Sequence, residues 1–414
     1  LGGALQLPRV SINLLMDLSI IAEAFVVVVI GGMGSIPGAF IAALLIGELN
    51  AFGVLVLPQA TIVLAFVVMA VVLVIRPYGL LGKAETLAHV AGQVELPIRP
   101  ASALAKSVAG LLLAGLVVMP FVTGEFALVL ATDVLIFALC AASLHFIMSN
   151  GGMVSFGHAA YFGLGAYGAA FVIKYAGGSM ELALVAAPLM AAAGALIFGW
   201  FCVRLSGVYM AMLTLAAAQI VWSTAFQWQD LTGGDDGLLG IWPSQWAKSK
   251  TAYYYLALVL CGGGILAMRR MIFSPFGYTL RGGRDNPNRT ESIGINLRQH
   301  QWAAFIVAGM FAGIAGGVYV FSKGSIFPDE AAIPRSVDAL VMVLLGGVQT
   351  LSGPVVGAGV FRLLEDEISR LDYWRAILGI IIIAIVVIAP EGIAGFIKKI
   401  AVKAGFERNE EQAS

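Results

Sequence analysis

The sequence predicts an all-α, polytopic transmembrane helical bundle with broken, re-entrant half-helices, and three observations predict it. Hydrophobic residues make up 60% of the 414 positions and charged ones only 12%, against about 25% charged in soluble domains; the mean hydropathy is +0.93. Charges gather between apolar runs of about 17 to 25 residues, the length that carries a helix across roughly 30 Å of hydrocarbon. Some runs are too short, or too broken by glycine, to cross alone. Lipid leaves backbone polar groups unsatisfied unless they bond within the segment or in a closed barrel, and the runs lack the alternation of barrel strands, so they choose the helix.

The first three runs cover 12–30, 38–57 and 59–75. Gly31, Gly32 and Gly38 lie between the first two and predict a re-entrant bend. A polar stretch, 76–106, follows with Lys83, Glu85, His89, Glu95, Arg99 and three prolines; it reads as a linker. Runs resume at 107–123, 126–148, 152–173, 182–203, 207–228 and 252–270. In the third of these, Gly157, Ala160, Gly163, Gly165 and Gly168 place small residues at near-helical spacing, which permits close helix approach. The last runs are 301–321, 335–348, 353–364 and 373–390. The pair 335–348 and 353–364 should dip in as two half-helices joined at Gly346 to Gly353, because the charge parity of the loops works only then.

That parity follows from positive charge in short loops facing the cytoplasm. The loop 269–298 carries Arg269, Arg270, Arg281, Arg284, Arg289 and Arg298, and the C-terminal tail carries Lys398, Lys399 and Lys403; both should be cytoplasmic. Asp230, Asp235 and Asp236, and Glu365, Asp366, Glu367 and Asp372, suit the outside. The chain also repeats itself: AFVVVVIGGMGSIPGAF (24–40) lies over ALVMVLLGGVQTLSGPV (339–355), and PYGLLG (77–82) over PEGIAG (390–395).

Gly-broken hairpins at membrane depth free backbone groups that must face protein or a water-lined cavity, so Gly31, Gly32, Gly38, Gly346, Gly347 and Gly353 are candidates for shaping a solute pathway. Close helix packing is the competing reading. Ser155 and His158 could line such a pathway; the plainer reading of His158 is that it satisfies an exposed helix start. In the loop 274–300, Phe276, Tyr278, Leu280, Ile293 and Ile295 among the arginines predict a short amphipathic helix, which either docks on a soluble partner or rests on anionic headgroups.

A net charge of zero names no nucleic-acid partner. Cys140, Cys202 and Cys261 read as small core residues, and His89, His145, His158 and His300 form no metal-ligand spacing. GLLGK (79–83) resembles a P-loop tail but has Pro77 and Ala84 where that motif needs glycine and a hydroxyl, and neither H-E-x-x-H nor G-x-S-x-G occurs. The chain is therefore not expected to be an enzyme or to hold a cofactor. Asp133, Glu23 and Glu48 lie in or beside apolar runs without an obvious partner, which keeps an ion-coupled transporter open. No basic leader is visible at Leu1, and the chain's true beginning is expected to lie upstream.

Taken together, NGGMVSFGHAAYFGLGAY (150–167), RLSGVY (204–209), LTGGDDG (231–237), SPFGYTLRGGRDN (274–286) with ESIGIN (291–296), and GGVQTLSGPVVGA (346–358) with APEGIAG (389–395) resemble the permeases of branched-chain amino acid ABC importers. The resemblance divides the chain into 1–83, similar to the C-terminal part of an H-type permease unit through IGGMGSIPGA and RPYGLLGK; a cytoplasmic linker, 84–106; an M-type permease domain, 107–400; and a cytoplasmic tail, 401–414. It implies a multi-pass protein of the bacterial inner membrane that works by alternating access with cytoplasmic ATP-binding subunits, which bind the ATP, a partner permease and a periplasmic solute-binding protein. It also implies that Arg284, Asp285, Arg289, Glu291 and Gly294 form the ATPase-coupling loop. The segment from Asn288 through Glu291 to Gly294 is similar to the coupling motif of such importers, commonly Glu-Ala-Ala followed three residues later by glycine, and departs from it in having Ser292-Ile293 where that motif has two alanines. Urea and short-amide importers have similar permeases and are the alternative within transport.

Overall fold

The computed structural model describes residues 16–56, 61–82, 103–371 and 373–403. Most of the expected linker, 84–102 with Glu85, His89, Glu95 and Arg99, lies outside the described residues, as do Lys83, Asp372 and the tail beyond 403. Among the described residues seven helices are long and apolar enough to cross a membrane, and shorter apolar helices accompany them, so the chain is a polytopic all-α membrane protein.

Three helices come first: α1 (Met16–Gly31), α2 (Ile36–Val56) and α3 (Thr61–Ile75). The main bundle follows with α4 (Ala103–Val122), α5 (Glu125–Gly151), α6 (Ala159–Lys174), α7 (Met180–Cys202) and α8 (Gly207–Gln227). After the short α9 (Gln229–Thr232) come α10 (Lys250–Ile272), α11 (Pro275–Asp285), α12 (Pro287–Ser292) and α13 (Leu297–Lys323). The chain closes with α14 (Ile333–Gly346), α15 (Gly353–Ile368), α16 (Trp374–Ile388) and α17 (Gly392–Lys403). Strand is confined, among the described residues, to the pair β1 (Leu238–Leu239) and β2 (Ser325–Ile326), antiparallel with Leu238 opposite Ile326.

Helices α5, α6, α7 and α13 form the centre, and small residues bring them together. Gly165 faces Gly313, Gly313 faces Ala191 and Gly309 faces Ala195, each so close that a methyl group would overlap its neighbour. In lipid, where apolar burial alone does not drive helix association, such backbone contact supplies the attraction. The outward faces stay apolar and exposed, as at Leu111, Leu189, Ile197, Val259 and Ile383.

The two ends of the bundle carry different charges. Lys250 pairs with Glu125 at 2.7 Å where α10 and α5 begin, and Arg281 donates to Asn150 Oδ1 at 3.0 Å where α5 ends and the arginine-rich loop lies. The second end carries the loop that the sequence reading expects in the cytoplasm.

One boundary departs from the sequence reading. The run 152–173 is not one helix: residues 152–158 are non-helical and α6 starts only at Ala159. The extended piece is held by α8, where Phe156 N–H donates to Thr214 Oγ1 at 3.0 Å and Gly157 lies flat against the Thr214 carbonyl. An apolar run has the same composition whether its backbone bonds to itself or to a neighbour.

Candidate functional site

The glycines singled out in the sequence form two corners of the same construction. In the second, α14 and α15 meet as a hairpin so tight that Gly346 overlies Gly353, leaving no room for a Cβ. Gly347, at φ +111°, turns the chain where the start of α17 crosses it, and Gly392 sits against the Gly347 backbone. In the first, Gly31 lies against Gly38, with a Cβ position 2.5 Å from the Gly38 carbonyl carbon. Gly32, at φ +98°, is crossed by Gly79 and Gly82, and Leu80 and Leu81 N–H bond the Ile30 and Gly31 carbonyls at 2.8 and 3.0 Å. Backbone contact without side chains is what these positions require. The tip of the second hairpin is tied to α5 by His145 Nε2, 2.7 Å from the Val348 carbonyl oxygen.

Ser155 and His158 lie fully buried on the non-helical piece before α6. His158 stands at the N-cap position but caps nothing; its Nε2 is 2.7 Å from Ser143 Oγ on α5. The helix start is served instead by Ser336 of α14, whose Oγ accepts from Ala159 N–H at 2.9 Å. The expectation that His158 satisfies the helix start is therefore corrected: it ties the non-helical piece to α5. Ser155 Oγ and His158 Nδ1 find no partner among the described residues.

Beside this lies a partly buried charge cluster, with Glu330 its one buried charged member, that the sequence reading missed. The chain between β2 and α14 enters the bundle rather than running over it, so that Ala331 packs on Gly163 of α6. Glu330 in this segment accepts twice from Arg335, at 2.7 and 2.9 Å, and once from the Tyr319 hydroxyl at 2.8 Å. Arg335 also approaches Asp338 at 3.6 Å. From α15, Arg362 stacks on the ring of Phe137, 3.6 Å from its centroid, and bonds Glu365; Arg335 lies 5.5 Å from the same ring. Charges at this depth are costly unless paired. Asp133, read from the sequence as lacking a partner, bonds Lys323 at 2.7 Å across the bundle. Glu23 and Glu48 are exposed.

The arginine loop folds into two helices where one was expected. α11 packs inward through Gly277, Leu280 and Gly283, and Arg284 reaches the Ser149 carbonyl at 2.5 Å and Asp285 at 3.0 Å. Arg284 is thus partly engaged with the end of α5. α12 projects outward: Arg289, Glu291, Ile293 and Gly294 are exposed, and Thr290 is its one buried residue. Asn286 caps α12 by accepting from Arg289 N–H at 3.0 Å.

Non-helical backbone and paired charges enclosed by a helical membrane bundle are tolerated only inside protein or along a polar path, and such a path is what a transport protein needs. Residues 126–386 match the family model described as branched-chain amino acid transport system / permease component, and the chain belongs to that family, one of transport permeases rather than of enzymes. It is 26% identical to the high-affinity branched-chain amino acid transport system permease protein LivM of Escherichia coli over 315 residues, covering 69% of this chain and 73% of the relative. The LivM protein of Salmonella typhimurium is 24% identical over 306 residues, 67% of this chain and 72% of that one. A probable LivH permease of Methanocaldococcus jannaschii is 28% identical over 135 residues, covering 29% and 41%. No solved structure matches.

Proposed function

We propose that the chain is the membrane-spanning subunit of an ATP-driven importer in the bacterial inner membrane, carrying branched-chain or related small hydrophobic amino acids. Its partners are cytoplasmic ATP-binding subunits, which hold the ATP, a second permease and a periplasmic solute-binding protein. Residues 1–83 are proposed as the C-terminal part of an H-type unit, ahead of the M-type domain over 107–400. The observation that carries the reading is the mounting of α12, a capped helical corner exposed on its outer side and joined to the bundle through α11 and the Arg281–Asn150 contact. A soluble ATPase that moves α12 would move the cytoplasmic ends of α5, α10 and α13 with it, and the bundle would open alternately to either side.

Glu291→Lys reverses charge at this corner without touching a buried residue. Like charges across an interface cost several kcal/mol, so co-purified ATP-binding subunit should fall about ten-fold or more while the variant keeps the parent's melting temperature. Full retention of the ATPase would remove α12 as the docking point; absence of any ATPase from the parent would remove the importer reading.

Asp133→Asn separates this mechanism from ion coupling. Asparagine keeps a side-chain oxygen that can accept from Lys323 at the 2.7 Å contact Asp133 makes, so the link across the bundle is weakened and not removed, while the titratable group is lost. Uptake by Asp133→Asn is expected to stay near the parent rate in reconstituted vesicles, whereas an ion-coupled carrier using Asp133 would lose it. Urea and short amides in the same assay decide the solute class: an uncharged amide taken up in place of leucine selects the amide importer.

A further inference from the structure

We propose that the cluster around Phe137 is a membrane-embedded recognition site for a zwitterionic solute, with Arg362 taking the carboxylate and Asp338 with Glu365 taking the ammonium; this rests on the amino-acid reading above. The cluster divides into a fixed part and a part with spare capacity. Arg335 and Glu330 are locked by two mutual hydrogen bonds and the Tyr319 hydroxyl. Arg362 is held only by Glu365 and the ring of Phe137, and its buried Nε has no partner among the described residues. A guanidinium has five donors and suits a bidentate carboxylate. Asp338 has as its ion pair only the 3.6 Å approach to Arg335, which leaves acceptor capacity for an ammonium.

The wall beside these charges is aromatic. Phe137 stacks on Phe162 with centroids 5.8 Å apart, and Phe162 meets Tyr319 at 5.3 Å; all three are buried, so an aliphatic side chain would reach them once the hairpin moves aside. Both charged ends of an amino acid and its apolar side chain would then meet complementary groups in one place. The arginines and carboxylates stand on the α14–α15 hairpin and the segment before it, and the aromatic wall stands on α5, α6 and α13. Movement of the hairpin against the bundle would open and close the site, with Glu365 holding Arg362 until a solute carboxylate replaces it.

The test is saturable binding of radiolabelled leucine to the full chain with its co-purified partners in lipid nanodiscs, without the solute-binding protein. Leucinamide, which lacks the carboxylate, and 4-methylpentanoate, which lacks the ammonium, serve as competitors. The parent should bind leucine and be displaced weakly by either competitor. Arg362→Gln should weaken leucine binding about ten-fold or more, as loss of a charge-assisted pair implies. Asp338→Asn should bring 4-methylpentanoate level with leucine, an inversion that a merely structural Asp338 would not produce. Should Arg362→Gln fail to fold, Arg362→Lys keeps the charge without the fork and should still weaken leucine relative to 4-methylpentanoamide. Leucine binding unchanged in both variants, or absent from a parent that retains its ATPase, overturns the site and leaves the importer reading standing. A parent that binds urea or acetamide in place of leucine overturns both.

Discussion

Alanine at Gly346 is expected to abolish most of the folded protein. The added methyl group would overlap the backbone of Gly353, and no rotamer change relieves a clash between two main chains. α14 and α15 would have to separate, which also loosens Gly357, packed on the Met342 carbonyl in the same hairpin. Overpacking costs about 1 to 3 kcal/mol where side chains can yield and more where they cannot. The melting temperature in detergent should therefore drop sharply, with most of the variant lost to aggregation. Gly263→Ala is the control, because nothing lies within 4 Å of its Cβ position and alanine favours the helix. An unchanged melting temperature for Gly346→Ala would show that the hairpin does not close in this way.

Arg335→Met should be comparably damaging for a different reason. It leaves Glu330, only 8% exposed, with the Tyr319 hydroxyl as its remaining hydrogen bond. Removing one member of a buried ion pair costs about 3 to 5 kcal/mol, whereas replacing both members by uncharged groups is often neutral. Arg335→Met/Glu330→Gln should therefore recover most of the lost thermal stability. If the double variant melts as low as the single one, the cost arises from lost packing on Phe137 and not from a stranded charge.

Much of this was legible in the sequence. Run length and the scarcity of charge announce a polytopic helical protein, and the paired Gly-Gly motifs mark both corners because close backbone contact admits only glycine. The bend at Gly346 to Gly353 was readable from loop charge. What escaped depends on contacts distant in the chain. Lys323 closes on Asp133 from 190 residues away, and no local pattern joins them. Glu330, Arg335 and Arg362 each resemble an ordinary charge at the edge of an apolar run; the inward course of the segment after β2 joins Glu330 to Arg335, and the α14–α15 hairpin brings Arg335 and Arg362 to the same ring. His158 was noticed, but its partner Ser143 lies on the preceding helix, so its role could not be read from its neighbours. Residues 152–158 are as apolar and small as the helix they precede, and composition cannot register where hydrogen bonding passes from one helix to another.

The crossing of Gly347 by Gly392 has a mechanical consequence. With the hairpin tip clasped by the start of α17 and tied to α5 through His145, the α14–α15 hairpin is anchored at its closed end. Displacement of the hairpin is therefore resisted most at that end and least toward the other, where Arg335 and Arg362 lie against Phe137.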